Sequence, residues 1–291
     1  MGRTFVWRFA LGALLIAIQG LANAAAPAEP LDRLRLKSNA VLVVDQATGE
    51  TLAAKNADRV LPIASLTKLM TALVVLDARL PLGESLQVTA DDVDHDKHTP
   101  SRLAVGTRLS RSDLMILALT ASENRAALAL SRNYPGGRPA FIAQMNAKAQ
   151  TLGMNRTHFS DPAGLSPGSV STARDLHRLM TAAYAQPLIR DYTTRPQYSV
   201  KVRNRTVTFI NSNRLVRHSG WNIELQKTGF TNEAGRCLVM QAKVLNRRLA
   251  MIFLDSVGKL TRYGDAARVR EALERLTPRL PRAISTAAGS S

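Results

Sequence analysis

Three short motifs along the chain carry the residue types needed for acyl transfer to a serine. Residues 65–68 read Ser-Leu-Thr-Lys, residues 122–124 read Ser-Glu-Asn, and residues 227–229 read Lys-Thr-Gly. A serine hydroxyl is a poor nucleophile at neutral pH and needs a base within hydrogen-bond reach. Because residues three positions apart share one face of a helix, the first motif predicts that the Lys68 amine lies beside the Ser65 hydroxyl.

Lys68 can act as a base only if its pKa is lowered. A free lysine has a pKa of about 10.4 and is protonated at neutral pH. Burial, a helix N-terminus and a second cation all lower the pKa of a lysine. Lys227 is the candidate second cation. We therefore expect Lys68 to lie in a buried, cationic site.

The third motif is predicted to lie on a strand at the edge of a sheet. There Lys227 and Thr228 can hold a substrate carboxylate, and Gly229 leaves space for the substrate backbone. Chance produces partial copies of the other motifs, at Ser256 with Lys259 and at Ser131 with Asn133. We interpret both copies as structural, because only the first three motifs occur in an order and at separations that let each begin a different element.

Hydrophobic periodicity predicts strands near both ends of the chain. Residues 40–45 and 50–55 read as a hairpin around the turn 46–49, and residues 235–255 read as a second hairpin that turns near 246–248. Alternation also returns between residues 198 and 209. A helix is predicted at residues 262–276. We expect an α+β fold in which helices flank an antiparallel sheet.

The middle of the chain is predicted to form an inserted helical lobe. Capping boxes that begin at Ser110 and Thr172 each precede a helix, and Ser122 follows the first of these helices in a loop. Residues 136–139 and 161–169 read as turns. Ser65 is placed at the start of a buried helix, so the site is expected in the cleft between lobe and sheet.

The N-terminus has the pattern of a cleaved secretory signal. Residues 1–24 combine a basic start, an apolar stretch and a small-residue cleavage site; a retained amphipathic anchor is the alternative. We predict a lead-in over residues 25–37, a catalytic domain over 38–277 and a disordered tail over 278–291. This organisation predicts a periplasmic protein, and from the 62 residues after Gly229 we expect a hairpin and a helix rather than a further β domain or a C-terminal membrane anchor.

Net charge and composition limit the classes of partner and cofactor that we expect this protein to bind. The net charge of +17 falls to +15 when Arg3 and Arg8 are removed with the signal, so we expect weak electrostatic association with wall polymer or lipid head groups. No basic-aromatic motif for nucleic acid is present. The five histidines show no metal-ligand spacing, and we expect neither a metal nor another cofactor. Cys237 is the only cysteine and reads as a buried strand residue.

Taken together, the motifs and their flanking residues resemble the serine D-alanyl-D-alanine peptidases, or low-molecular-mass penicillin-binding proteins. The stretches 64–72, 120–127 and 227–235 are most similar to the D-alanyl-D-alanine endopeptidase branch of penicillin-binding protein 7 type, and the resemblance covers roughly residues 38–275. It implies a DD-peptidase/β-lactamase-like α+β fold, peptidoglycan stem peptides as substrates and β-lactam antibiotics as covalent inhibitors. The implied reaction is cleavage of D-alanyl-meso-diaminopimelate cross-links.

The resemblance also implies a role for each motif residue. Ser65 would be the acylated nucleophile and Lys68 its base. Ser122 would relay protons with Asn124, which would also bind the substrate amide. Lys227 and Thr228 would hold the carboxylate beside Gly229, while the backbone N–H groups of Ser65 and Phe230 would form the oxyanion hole. Many relatives carry Gly or Asp where this chain has Glu123, and we expect Glu123 to be a solvated loop acid.

Three alternative functions share these motifs. A D-alanyl-D-alanine carboxypeptidase acylates its serine with the same carbonyl and differs only in the leaving group. A β-lactamase needs a base for rapid deacylation, commonly a glutamate, and the chain has no glutamate between Glu123 and Glu224. A non-catalytic wall-binding or penicillin-sensing module would not need the complete set of polar motif residues.

Overall fold

The computed structural model describes residues 34–276, so the predicted signal segment, most of the lead-in and the predicted tail lie outside the described residues. The strands are β1 (Ala40–Asp45), β2 (Thr51–Lys55), β3 (Leu61–Pro62), β4 (Ser85–Gln87), β5 (Arg108–Ser110), β6 (Val170–Ser171), β7 (Gln197–Val202), β8 (Arg205–Ile210), β9 (Asn222–Thr231), β10 (Gly235–Val244) and β11 (Arg247–Ser256). The α-helices are α1 (Lys68–Asp77), α2 (Arg111–Thr120), α3 (Asn124–Arg132), α4 (Gly137–Thr151), α5 (Ala173–Tyr184), α6 (Pro187–Thr194) and α7 (Thr261–Leu276).

A five-stranded antiparallel sheet forms the centre of the molecule, in the order β2-β1-β11-β10-β9. Strand β1 is buried along its whole length, because both faces of the sheet are covered. Val41 and Val43 face the layer that contains α7, whereas Leu42 and Val44 face the larger core shared with the helical lobe. The sequence therefore shows a continuous apolar strand, and the predicted α+β fold is confirmed.

The N-terminal end of the described chain is attached to α7. The carboxylate of Asp265 accepts hydrogen bonds from the backbone N–H groups of Lys37 and Ser38 and from the Ser38 hydroxyl. The Ser256 hydroxyl lies 2.7 Å from that of Ser38. Ser256, which matches the first motif only by chance, therefore has the structural role that we expected. These contacts bring the two ends of the catalytic fold together and close the sheet with terminal segments, as predicted.

One local prediction was confirmed and two were wrong. The alternation over residues 198–209 corresponds to a separate hairpin of β7 and β8 outside the main sheet, with Arg203 in the left-handed conformation at the turn. Gly137 already begins α4, so residues 137–139 are the first helical turn and not part of a loop. The last hairpin turns at 245–246, where Leu245 adopts positive φ, and not at 246–248. In each case a residue in the left-handed region sets the turn, and alternation alone does not locate it.

Candidate active site

Ser65 lies in a short 3₁₀ helix, Ala64–Thr67, that continues directly into α1. Ala64 has a φ of 47°, which is strained for a residue with a Cβ. Gly164 packs against this turn so closely that a Cβ added to it would lie 1.9 Å from the Ala64 carbonyl oxygen. The loop around Gly164 therefore holds the turn that carries Ser65 in a fixed conformation.

The Lys68 amine makes three short contacts in a fully buried position. It lies 2.8 Å from Ser65 Oγ, 2.7 Å from Asn124 Oδ1 and 2.7 Å from the carbonyl oxygen of Ala163. The amide oxygen and the carbonyl oxygen can only accept hydrogen bonds. A neutral amine that donates to both of them directs its lone pair at the Ser65 hydroxyl, which is the geometry a general base requires.

Burial lowers the pKa of Lys68 to about 7. Asp161, Glu123 and Asp94 oppose this effect, because each negative charge favours the ammonium form. The expectation of a low pKa therefore holds, and burial is the expected cause that dominates, whereas the repulsion between the two lysines lowers the pKa of Lys227. A pKa of about 7 allows Lys68 to be unprotonated at neutral pH.

Asp161 organises the loop that approaches Lys68. Its Oδ1 accepts the backbone N–H groups of Ala163 at 2.7 Å and of Gly164 at 2.6 Å, and its Oδ2 accepts that of Ser166 at 2.9 Å. These bonds fold the loop so that the Ala163 carbonyl faces Lys68. The predicted turn over 161–169 is present, but its contribution to the site was not foreseen.

Ser122 lies between α2 and α3 with a φ of 62°, and its hydroxyl accepts a 2.8 Å hydrogen bond from Lys227 Nζ. Lys227 is fully buried, and burial, Lys68 and Arg262 together hold its pKa well below the ordinary range. The second and third motifs therefore meet directly. Asn124, the first residue of α3, contacts Lys68, so all three motifs belong to one hydrogen-bonded cluster.

The expectation that Glu123 is a solvated loop acid was wrong. Its side chain is buried, caps the N-terminus of α3 and accepts hydrogen bonds from Arg125 N at 3.2 Å and Ser101 Oγ at 2.7 Å. A carboxylate at this position satisfies a free backbone N–H group and interacts favourably with the helix dipole. Glu123 therefore fixes the segment that carries Ser122 and Asn124.

Strand β9 is an edge strand of the sheet and carries Lys227, Thr228, Gly229 and Phe230 past Ser65, as predicted. A Cβ at Gly229 would lie 2.9 Å from the Ile63 carbonyl oxygen and 3.2 Å from Ser65 N. Because Gly229 has no side chain, β9 can lie close to the turn that carries Ser65. Phe230 is half exposed at the mouth of the site.

Two residues near this strand were missed by the sequence reasoning. Ser212 Oγ lies 2.7 Å from Thr228 Oγ1. Arg262, on α7, is only 6% exposed, and its Nε and Nη1 atoms have no hydrogen-bond partner within residues 34–276. Arg262, Ser212 and Thr228 line the same hollow beside Ser65. No local motif marks either residue, since both reach the site only through the packing of distant elements.

The cleft contains two hollows that meet at Ser65, Asn124 and Phe230. The first, of about 190 Å³, is also lined by Lys97, Thr99, Gly164, Leu165, Thr231 and Asn232. The second, of about 280 Å³, is also lined by Ser122, Ser212, Thr228, Gly229 and Arg262. A molecule bound beside Ser65 can therefore extend in two directions, and the second hollow is lined by Arg262, which forms no ion pair with a carboxylate of residues 34–276.

Across residues 34–276, no helix is both long and apolar enough to cross a membrane.

Comparisons with known proteins agree with this geometry. A family described as D-alanyl-D-alanine carboxypeptidase, peptidase family S11, matches residues 23–258. The chain is 49% identical to a D-alanyl-D-alanine endopeptidase of Pseudomonas aeruginosa, over 82% of this chain and 78% of the relative. It is 45% identical to a D-alanyl-D-alanine endopeptidase of Escherichia coli, over 90% and 86%.

Solved structures share the fold. The Streptomyces K15 DD-transpeptidase is 28% identical, with a TM-score of 0.75 over 81% of this chain and 97% of that protein. Penicillin-binding protein D2 of Listeria monocytogenes, in a cefotaxime-bound form, is 32% identical, with a TM-score of 0.71 over 82% and 98%. The arrangement of lobe, sheet and cleft therefore occurs in proteins that carry out acyl transfer or bind a β-lactam.

Proposed function

The chain belongs to the D-alanyl-D-alanine carboxypeptidase family, peptidase family S11, and from this we propose that it is a periplasmic endopeptidase that cleaves D-alanyl-meso-diaminopimelate cross-links in peptidoglycan. It is a serine-type D-alanyl-D-alanine peptidase. The observation that favours the endopeptidase reaction is the 49% and 45% identity to D-alanyl-D-alanine endopeptidases over most of both chains. Relatives named carboxypeptidases reach 28% to 34% identity.

In the proposed reaction, Lys68 removes the Ser65 proton as Ser65 Oγ attacks the D-alanyl carbonyl carbon. The backbone N–H groups of Ser65 and Phe230 hold the oxyanion. Ser122, hydrogen-bonded to Lys227, relays a proton to the departing nitrogen, so the amide C–N bond breaks and an ester to Ser65 remains. Water then hydrolyses the ester and restores the hydroxyl.

Asn124 would bind the substrate amide while it keeps its contact with Lys68. Recognition of the leaving group would use the second hollow. Lys227 and Thr228 would hold the carboxylate that lies next to the departing nitrogen, beside the space left by Gly229. A cross-linked diaminopimelate carries such a carboxylate on the carbon attached to the cleaved nitrogen, as a terminal D-alanine does. Cross-links and terminal residues would thus share one anion site.

Carboxypeptidase activity remains the alternative, since the family is described by that activity and the same anion site suits a terminal D-alanine. Purified protein should be incubated separately with cross-linked muropeptide dimers and with monomeric pentapeptides, and the products measured by mass. We expect dimers to yield monomers at the higher kcat/KM. The Ser65→Ala variant is the control for contaminating hydrolases. Release of D-alanine from pentapeptides with intact dimers would refute the endopeptidase proposal.

β-Lactams would inhibit by acylating Ser65, because Lys227 and Thr228 can hold the drug's carboxylate as they hold the peptide's. The cefotaxime-bound Listeria protein, which shares the fold, supports this inference for the present chain. Labelled penicillin should attach once per chain, on the peptide that contains Ser65, and the adduct should outlast many peptide turnovers. Rapid release of hydrolysed drug would indicate a β-lactamase instead.

The periplasmic location is supported by the signal pattern in residues 1–24, with a mature N-terminus near Ala25. The positive charge supports weak association with wall polymer or lipid head groups. Fractionation with N-terminal sequencing tests the first point. Release of bound protein by high salt tests the second, because salt screens exposed charges; release by detergent alone would indicate an anchor.

A further inference from the structure

An ion pair crosses the mouth of the first hollow. Lys97 lies in the loop between β4 and β5, and Glu233 lies in the turn between β9 and β10, so the pair joins the lobe to the sheet. The Lys97 side chain lines the hollow that contains Ser65, and the two side chains are 29% and 38% exposed. A molecule bound in this hollow can therefore reach the Lys97 ammonium, and the partly exposed Glu233 carboxylate lies against that ammonium.

The Lys97 backbone is held in a defined position relative to the nucleophile. Asp94 Oδ1 accepts the Lys97 backbone N–H at 2.9 Å, and Asp94 Oδ2 accepts the Thr99 hydroxyl at 2.7 Å. Thr99 Oγ1 in turn accepts a 2.8 Å hydrogen bond from Asn124, which contacts Lys68. A continuous set of hydrogen bonds thus connects the Lys97 loop to the base, which most exposed ion pairs lack.

This inference rests on the proposed function, which places the leaving group in the second hollow and the acyl donor in the first. The donor residue before the D-alanine is diaminopimelate, whose free end carries an ammonium and a carboxylate on one carbon. Glu233 follows Phe230 by three residues, in the turn between β9 and β10, so the chain places it at most about 11 Å from Phe230. One peptide unit of about 3.8 Å plus the diaminopimelate side chain spans a similar distance.

We propose that Lys97 and Glu233 bind this zwitterionic end, Lys97 its carboxylate and Glu233 its ammonium, and thereby select diaminopimelate-containing donors. A lysine ammonium has three N–H donors, so Lys97 can bind a substrate carboxylate in addition to Glu233 or in its place. Exposed ion pairs contribute little to stability, so opening the pair costs little. The substrate replaces one ion pair with two.

The test uses three soluble pentapeptide donors that differ only at the third residue: diaminopimelate, lysine, which lacks the distal carboxylate, and norleucine, which lacks both charges. We expect Lys97→Met to lower kcat/KM about tenfold for the diaminopimelate donor only. Glu233→Gln should lower it about tenfold for the diaminopimelate and lysine donors. Neither variant should change kcat/KM for the norleucine donor or the rate at which penicillin acylates Ser65.

Arg174→Met is the control, because Arg174 pairs with Asp58 in a more exposed ion pair whose residues line neither hollow. It should behave like wild type with all donors. Equal losses across the three donors would mean that Lys97 and Glu233 only hold the loop, and unchanged kinetics would also overturn the proposal. Failure of the endopeptidase proposal is measured separately with cross-linked dimers, since donor selectivity is read here from D-alanine release.

Discussion

Acylation of Ser65 should follow the protonation of Lys68. Lys68 accepts the proton only when neutral, and its pKa is lowered to about 7 by burial. The neutral fraction then rises from about 10% at pH 6 to about 90% at pH 8. Because the pKa of this lysine is depressed, activity is present above about pH 7 and is lost as the pH falls through that value. We expect a ninefold to tenfold rise between pH 6 and 8, followed by a plateau.

The assay is the second-order rate of acylation by a fluorescent penicillin, measured by stopped flow between pH 5 and 10. The drug's carboxylate stays ionised across this range, so the profile reports groups of the protein. Glu123→Gln provides an electrostatic control, because the Glu123 charge raises the pKa of Lys68 and Gln keeps the oxygen that accepts from Ser101 and Arg125. In this variant, the pH range over which the acylation rate rises should move to lower pH.

A rate that keeps increasing tenfold per pH unit up to pH 10 would show that Lys68 retains its ordinary pKa. A flat profile would show that Lys68 is not the base. An unchanged pH range in the Glu123→Gln variant would assign the titration to another group, of which Lys227 is the first candidate, since its pKa is also strongly depressed.

Three further predictions concern the packing and charge of the site. Gly164→Ala should abolish acylation and lower the free energy of unfolding by about 2–5 kcal/mol in urea titrations, because φ is +74° and the new Cβ would meet the Ala64 carbonyl. Lys68→Met removes a group that binds a proton more tightly when unfolded, so the stability of wild type relative to this variant should rise by about 2 kcal/mol between pH 7 and 9, as chemical denaturation would show. Arg262→Met should lower kcat/KM ten- to hundredfold for peptides with a free carboxylate and much less for their methyl esters, without loss of stability, since Arg262 has unpartnered nitrogen atoms in the described chain.

The parts of the site that could be predicted from sequence are those set by local geometry. The Ser65 and Lys68 contact follows from their spacing on one helix face, and the edge position of Lys227 follows from the strand pattern at the end of the sheet. The contact between Ser122 and Lys227 was not predicted. Their 2.8 Å contact joins residues that are 105 positions apart, which periodicity cannot locate.

The parts that could not be predicted depend on long-range packing. Asp161 orients the Ala163 carbonyl through backbone hydrogen bonds that no side-chain pattern encodes. Arg262 reaches the cleft because α7 packs on β10 and β11, so its role depends on a tertiary contact. Glu123 was misjudged because an acid beside a serine in a loop and an acid that caps a helix have the same local sequence; the start of α3 at Asn124 decides between them.

Burial of three basic side chains at one site supports the proposal that it binds an anionic group. Lys68, Lys227 and Arg262 are each at most 6% exposed, and Lys68 and Arg262 both lower the pKa of Lys227. Like charges in a buried site destabilise the folded protein unless they lose protons or gain an anionic partner. The lysines can respond by deprotonation, which produces the base, whereas an arginine stays charged. Arg262 is therefore the basic group whose charge a bound carboxylate would neutralise, in agreement with the proposal that the second hollow holds an anionic leaving group.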